Sequence, residues 1–134
     1  FPVAIQNIRA PIFAVGTERD HVAPWRSVYK IHYLSHTDVT FVLTSGGHNA
    51  GIVSEIGRKG RHYRIAEKPH AEPCVDADGW AERAQLREGS WWPAWQEWLA
   101  AKSSPERVAP PAMGAPDKGL PLLDDAPGTY IHQR

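Results

Sequence analysis

The stretch "VTFVLTSGGHNAG", residues 39 to 51, decides how this chain is read. Five apolar or β-branched residues run without alternation and stop at Ser45-Gly46-Gly47, with His48 just beyond. A continuous run of this length, closed by turn residues, predicts a strand buried on both faces, as in a parallel sheet. Upstream, "PIFAV" at 11 to 15 has the same character and is closed by Gly16. Between them "PWRSVYKIHYLS" reads as a helix starting near Pro24, a residue suited to a first helical turn. Trp25, Val28, Ile31 and Leu34 recur at three-residue steps and are expected to cover one face. Strand, helix and strand in some thirty residues predict a βαβ unit. In such sheets ligands sit beyond the carboxyl ends of the strands. Asp20 follows the first strand in "TERDHVAP" and His48 follows the second.

An acid and a histidine at successive strand ends are two parts of a nucleophile–His–acid triad. There the histidine takes the nucleophile's proton, and the carboxylate fixes its tautomer and stabilises its cation. The order acid, then histidine, is that of α/β-hydrolases, whose nucleophile comes earlier, at a G-x-S-x-G elbow. No G-x-S-x-G or G-x-C-x-G occurs in the 134 residues. The catalytic candidates are therefore Asp20 and His48, with no nucleophile in this chain. Taken alone, Asp20 also reads as a turn or cap residue before the Pro24 helix, and His48 as a loop histidine beside two glycines. Cys74, in "AEPCVDADG", lies downstream of the histidine without flanking glycines and reads as a thiol with no catalytic role; Ser45 and Ser90 are no better placed.

Other features point away from rival chemistries. Fifteen positive and fifteen negative side chains balance, so charge gives no reason to expect nucleic acid or a membrane surface as partner. No run approaches the ~20 apolar residues of a membrane span. A single cysteine makes no internal disulfide and suits a reducing, cytoplasmic setting. His32 and His36, four apart, would share a helix face, but no Glu follows His32 and no third ligand is evident. The pair reads as a solvated helix end, and no metal or cofactor is expected. "GRKGRHYR" reads as a solvated basic turn into a short strand, with a phosphate-binding patch as the alternative.

Downstream, "NAGIVSEI" predicts a short helix, and residues 66 to 79 an irregular stretch. A helix near Trp80 to Leu86 is expected, with Asp78 as its cap. A second, over 91 to 101, would be capped by Ser90, with Trp91, Trp95, Trp98 and Leu99 within one face as packing. From Ser103 the chain is rich in Pro and Gly and reads as an extended tail, wrapped on the body or disordered. Three parts follow: a βαβ part over 1–65, a helical Trp-rich extension over 66–102, and the tail over 103–134. The opening on Phe1, with Met113 the only methionine, suggests an excised piece. Two buried strands are few for an α/β sheet, so a homodimer pairing open edges is expected.

"ERDHVAPWRSVYK", "FVLTSGGHNAGIV", "GSWWPAWQEWL" and the closing "APGTY" together resemble the C-terminal end of bacterial polyhydroxyalkanoate synthases, the poly-3-hydroxybutyrate polymerases. The resemblance runs from about Pro11 to the tail, and the combined motifs are far more specific than a hydrolase pattern. It implies a C-terminal fragment of an α/β-hydrolase fold and a Cys–His–Asp triad. Asp20 and His48 match its acid and histidine, and the cysteine has no counterpart here. It further implies an acyltransferase that polymerises 3-hydroxyacyl-CoA into polyester with release of CoA, in the cytoplasm and at storage granules. The fragment alone would be inactive. The sequence departs from better-known members after His48, where "SEIGRKGRHYRIAEKPH" replaces an "NPP"-type segment. An esterase or depolymerase relative, or a non-catalytic binding or dimerising module, are the rival readings.

Overall fold

The computed structural model describes residues 4–133, so the expectation drawn at Phe1 lies outside the described residues. The chain divides into two compact units, Phe1–Ser103 and Ser104–Arg134.

The first unit is an α/β structure built on a four-stranded sheet in the order β1-β2-β3-β4. The strands are β1 (Ile12–Thr17), β2 (Val39–Thr44), β3 (His62–Lys68) and β4 (Gln85–Glu88). β1 and β2 pair in parallel, Ile12 opposite Val39 through Thr17 opposite Thr44. The continuous apolar run of β2 has the expected physical origin. All six residues are buried, and successive side chains enter two different cores. Phe41 and Leu43 join Trp25, Tyr29, Trp80 and Ala84 on one face. Val42 joins Tyr63, Trp91 and Ala94 on the other. Helices thus cover both faces, α1 (Trp25–Tyr29), α2 (Ile31–Leu34) and α3 (Ala77–Arg83) on one, α4 (Trp92–Ala101) on the other.

The sheet adds to the two buried strands a third, β3, where the basic turn is expected to lead into one, and a fourth, β4, that is not among the expected elements; it is mixed. β3 pairs antiparallel with β2, and β4 antiparallel with β3. The helix expected from Pro24 to Ser35 is two short helices broken at Lys30, whose ψ of −14° departs from helical values. Its buried face is also displaced. Tyr29 and His32 are buried while Leu34 is exposed, because Trp25, Tyr29 and His32 follow the i, i+4, i+7 stripe of an α-helix.

Three further expectations are corrected. Residues 49 to 56 form turns, not a helix, tied by Gly51 N–H to the Gly47 carbonyl and by Ile52 and Val53 N–H to that of Asn49. The helix read near Trp80 to Leu86 lies earlier, at Ala77–Arg83, and Asp76 rather than Asp78 caps it by accepting from Gly79 N–H at 2.8 Å. Leu86 instead lies in the solvent-exposed strand β4. In α4, Trp91 and Ala94 are buried but Trp95 and Leu99 are exposed, so the tryptophans do not share one buried face. Trp91 marks the helix N-cap, and the Ser90 hydroxyl accepts from Trp92 N–H at 3.1 Å.

The second unit is largely irregular. It contains 3-10 turns at Pro116–Lys118 and Tyr130–His132 and a bridge between Ala115 and Leu120. Its apolar side chains Val108, Met113, Leu120, Leu122 and Leu123 are exposed.

Candidate active site

Two adjacent parallel strands end at Thr17 and Thr44, in register. The two chain segments leaving them carry Asp20 and His48, so parallel pairing delivers both to one end of the sheet. Backbone bonds then lock the segments together. Glu18 N–H donates to the Thr44 carbonyl at 3.0 Å, and Arg19 N–H to that of Gly46 at 2.9 Å. Two glycines make the route possible. Gly46 has φ +113°, a conformation L side chains rarely adopt. At Gly51 a Cβ would fall 2.4 Å from Cγ2 of Thr17, so the returning loop presses against the end of β1.

The result is a direct contact: Nδ1 of His48 lies 2.9 Å from Oδ2 of Asp20. The other oxygen, Oδ1, accepts from Val22 and Ala23 N–H at 2.9 and 2.8 Å. Thr17 adds a hydroxyl donor to Oδ2 at 3.3 Å. One carboxylate thus serves the turn through Oδ1 and faces the imidazole through Oδ2. The carboxylate is only 7% exposed against 49% for the imidazole. The Ala23 N–H, followed by the His48 ring, holds the Asp20 pKa down at about 2. Hydrogen bonds to the charged form have this effect. Asp20 is thus an anion at any ordinary pH, and an anion can only accept. A neutral His48 ring must then carry its proton on Nδ1, leaving the Nε2 lone pair free to take a proton.

Among the described residues no hydroxyl or thiol is hydrogen-bonded to the His48 ring; its bond is to Asp20. Cys74 is far from this end of the sheet. Its Sγ donates to the His32 carbonyl at 3.1 Å, and it shares a cavity of about 580 Å³ with His32, His36, Lys68 and His70. Lys68 pairs with Val39, the first residue of β2, so that cavity lies at the opposite end. His32 and His36 do line one groove. Among the described residues no three His, Cys, Asp or Glu side chains are placed to hold a metal ion.

The motif "GSWWP" has a role its sequence did not disclose. Trp91 Nε1–H donates to the Gly51 carbonyl at 3.1 Å, and Trp92 Nε1–H to that of Ile52 at 3.0 Å. The Ser90 hydroxyl donates to the Ser54 carbonyl. Three side chains at the start of α4 therefore hold the segment that follows His48. Tryptophan at a helix start signals packing in a sequence; only the fold reveals which carbonyls its N–H meets.

No family model matches the chain. Single relatives do, almost end to end. The chain is 34% identical over 133 residues to poly(3-hydroxyalkanoate) polymerase 2 of Ectopseudomonas oleovorans, covering 99% of this chain and 23% of that protein. By sequence this stretch belongs with the poly(3-hydroxyalkanoate) polymerases. Identity is 34% over 134 residues with the polymerase subunit PhaC of Rhizobium meliloti, covering 98% of this chain. It is 35% over 130 residues with the polymerase of Methylorubrum extorquens, covering 97%. The chain spans only 20 to 23% of the length of these polymerases. No helix among the described residues is long and apolar enough to cross a membrane.

Proposed function

We propose that this chain supplies the acid and the histidine of a Cys–His–Asp triad in an α/β-hydrolase-type enzyme that polymerises 3-hydroxyacyl-CoA. The observation that carries the reading is the 2.9 Å contact between Asp20 and His48 beyond the ends of adjacent parallel strands. The kinship with polymerases supports it. The cysteine comes from polypeptide beyond these 134 residues, so the chain alone turns nothing over.

In the reaction, Nε2 of His48 takes the cysteine thiol proton. The sulfur attacks the thioester carbonyl, the carbon–sulfur bond to CoA breaks, and CoA leaves with the proton returned by His48. The 3-hydroxyl of another unit then attacks the enzyme-bound thioester. Its proton passes to His48, an ester bond forms, and the cysteine sulfur is released to recover that proton. Asp20 holds His48 in the competent tautomer and offsets its transient positive charge. Thiol–thioester exchange is nearly balanced, so the growing chain is not trapped on the enzyme. The same reading places the enzyme in the cytoplasm at polyester granules, and the isolated chain as a homodimer joined through its sheet edges.

The test is CoA release from 3-hydroxybutyryl-CoA by the complete protein, with the product identified. Polymer formation that is lost in His48→Gln supports the reading. Free 3-hydroxybutyrate as the product would establish an esterase instead. Turnover by residues 1–134 alone would overturn the external nucleophile. Light scattering of the isolated chain decides the dimer: a monomer at micromolar concentration refutes it.

A further inference from the structure

Arg61 is a buried cation, 9% exposed, at the threshold of β3. Burying a guanidinium is costly unless its donors are met, yet no carboxylate among the described residues forms an ion pair with it. Its Nη1 donates to the Ser45 carbonyl at 3.3 Å, while its Nε finds no partner among the described residues. Ser45 is the first residue after β2, where the turn to His48 begins. The guanidinium lies close under that turn. A Cβ added at Gly46 would come 2.8 Å from Nη1. The backbone of Arg61 is fixed in turn, because its carbonyl accepts from Gly89 N–H at 2.7 Å. His62 adds two bonds to Ser45, its N–H to the Ser45 hydroxyl at 3.1 Å and its carbonyl from the Ser45 N–H at 2.9 Å.

We propose that Arg61 is a positioning residue for His48, its guanidinium setting the direction in which the Ser45–Gly47 turn leaves β2. Gly46 is a flexible link two residues before a histidine whose Nδ1 must meet a fixed carboxylate. Asp20 is oriented by its own two backbone donors, and its segment is joined to the turn by the Arg19 N–H on the Gly46 carbonyl at 2.9 Å, so a shift of the turn disturbs the contact from both sides. Orientation at the reacting atoms therefore depends on what fixes the turn from below. On the far side of His48 the Trp91, Trp92 and Ser90 donors do this. On the near side the side chain that donates to the turn is Arg61. The reaction to which this contributes is the one proposed above, but the positioning itself is observable without turnover.

The experiment reads the His48 ring by nitrogen NMR in the complete protein, labelled at histidine and assigned through His48→Gln. The unaltered protein should show one tautomer, protonated at Nδ1, with a protected Nδ1–H. In Arg61→Met that signal is lost or divided between tautomers, and CoA release falls about a hundredfold, the scale of a ~1 Å misplacement. Arg61→Lys, whose ammonium can still donate to a carbonyl, recovers part of both. Arg64→Met is the control: it removes a guanidinium from the same strand whose bond is to the Ala84 carbonyl, and should leave the His48 signal intact. A folded Arg61→Met protein with an unchanged His48 signal overturns the proposal, as does equal loss in Arg64→Met. If Arg61→Met does not fold, Arg61→Gln, neutral and too short to reach Ser45, decides by the same criterion. Absence of CoA release in the unaltered protein would refute the proposed function and leave the ring measurement valid.

Discussion

Each end of the sheet carries an aspartate facing a histidine, and the two pairs are not alike. Beyond the carboxyl ends of β1 and β2, Asp20 meets His48 at 2.9 Å, its carboxylate 7% exposed. At the opposite end, Asp38 before β2 faces His70 after β3 at 3.6 Å, the imidazole largely open to water and the carboxylate 41% exposed. Asp20 takes two backbone N–H donors on one oxygen and meets the imidazole and the Thr17 hydroxyl with the other. Asp38 accepts the His70 N–H at 2.9 Å, and that bond to the backbone is what chiefly lowers its pKa. Composition is nearly the same at the two ends. What separates the two pairs is which strand ends converge, and how the carboxylate is held. Solvent-exposed pairs are worth little; a carboxylate fixed by backbone donors can impose a tautomer.

The largest effect should come from breaking the two pairs in parallel. In the complete protein, Asp20→Asn and His48→Gln are expected to lower CoA release from 3-hydroxybutyryl-CoA by roughly three to four orders of magnitude, the scale seen when a triad member is replaced. Asp38→Asn and His70→Gln should stay within about twofold, as surface substitutions do. Equal losses at both ends would remove the distinction drawn here.

A second contrast lies in how each end holds its loops. At the end that carries Asp20 and His48, indole N–H groups of Trp91 and Trp92 meet the carbonyls of Gly51 and Ile52. At the other, the hydroxyls of Tyr29 and Tyr33 both reach the Val75 carbonyl, at 3.0 and 3.3 Å. Trp91→Phe leaves the Gly51 carbonyl without its donor in a buried setting and should cost about 1–3 kcal/mol by urea unfolding. It should also slow CoA release, because the loop carries His48. Tyr33→Phe, at an exposed ring whose acceptor keeps the Tyr29 bond, should cost less than about 0.5 kcal/mol and leave turnover unchanged. A Trp91 variant that lost stability but kept full activity would show the clasp to be structural only.

Acid titration sharpens the same comparison at smaller amplitude. The folded-state pKa of Asp20 is depressed from 3.8 to about 2, so the folded state binds the carboxylate form more favourably than the unfolded chain does. That contribution is fully present above pH 3.8 and is lost as the pH falls through about 2. Asp20→Asn should therefore flatten the stability profile across that window, measured as the urea midpoint against pH. Asp38 is shifted in the same direction, and Asp38→Asn should flatten it less, since it accepts from one backbone N–H where Asp20 accepts from two, and its histidine is farther away. The reverse ranking would mean that the backbone donors at Asp20 are not made in solution.

The strand ends were legible from the sequence because burial on both faces forces a continuous apolar run, and because Gly46 and Gly47 mark where β2 must turn. Asp20 and His48 could be named from that alone. The antiparallel strands were harder. β4 is short and wholly exposed, so "QLRE" carries no burial pattern, and helical propensity won the reading of Leu86. Residues 49 to 56 read as helix because Ile52, Val53 and Ile56 have helical spacing, yet all three are exposed. Side-chain donors to carbonyls at 51, 52 and 54 hold that segment instead. Such long-range bonds leave no periodic trace. Arg61 is similarly hidden, since a basic turn in a sequence looks solvated whether or not one of its arginines is buried.

The smallest expected effect is also a test of which end is chemical. Cys74 is the only thiol in the chain, and it is exposed beside the groove at the opposite end. A nucleophile must come within hydrogen-bond reach of the base that activates it. Cys74 donates to the His32 backbone carbonyl and not to a ring nitrogen, so no base engages its thiol. Burial also lowers the His32 pKa, which weakens that ring as a proton acceptor. Cys74→Ala in the complete protein should therefore leave CoA release unchanged and remove one equivalent of thiol from titration of the folded state. Loss of turnover in Cys74→Ala, with the His48 ring signal intact, would move the nucleophile to the far end of the sheet and dissolve the difference between the two pairs.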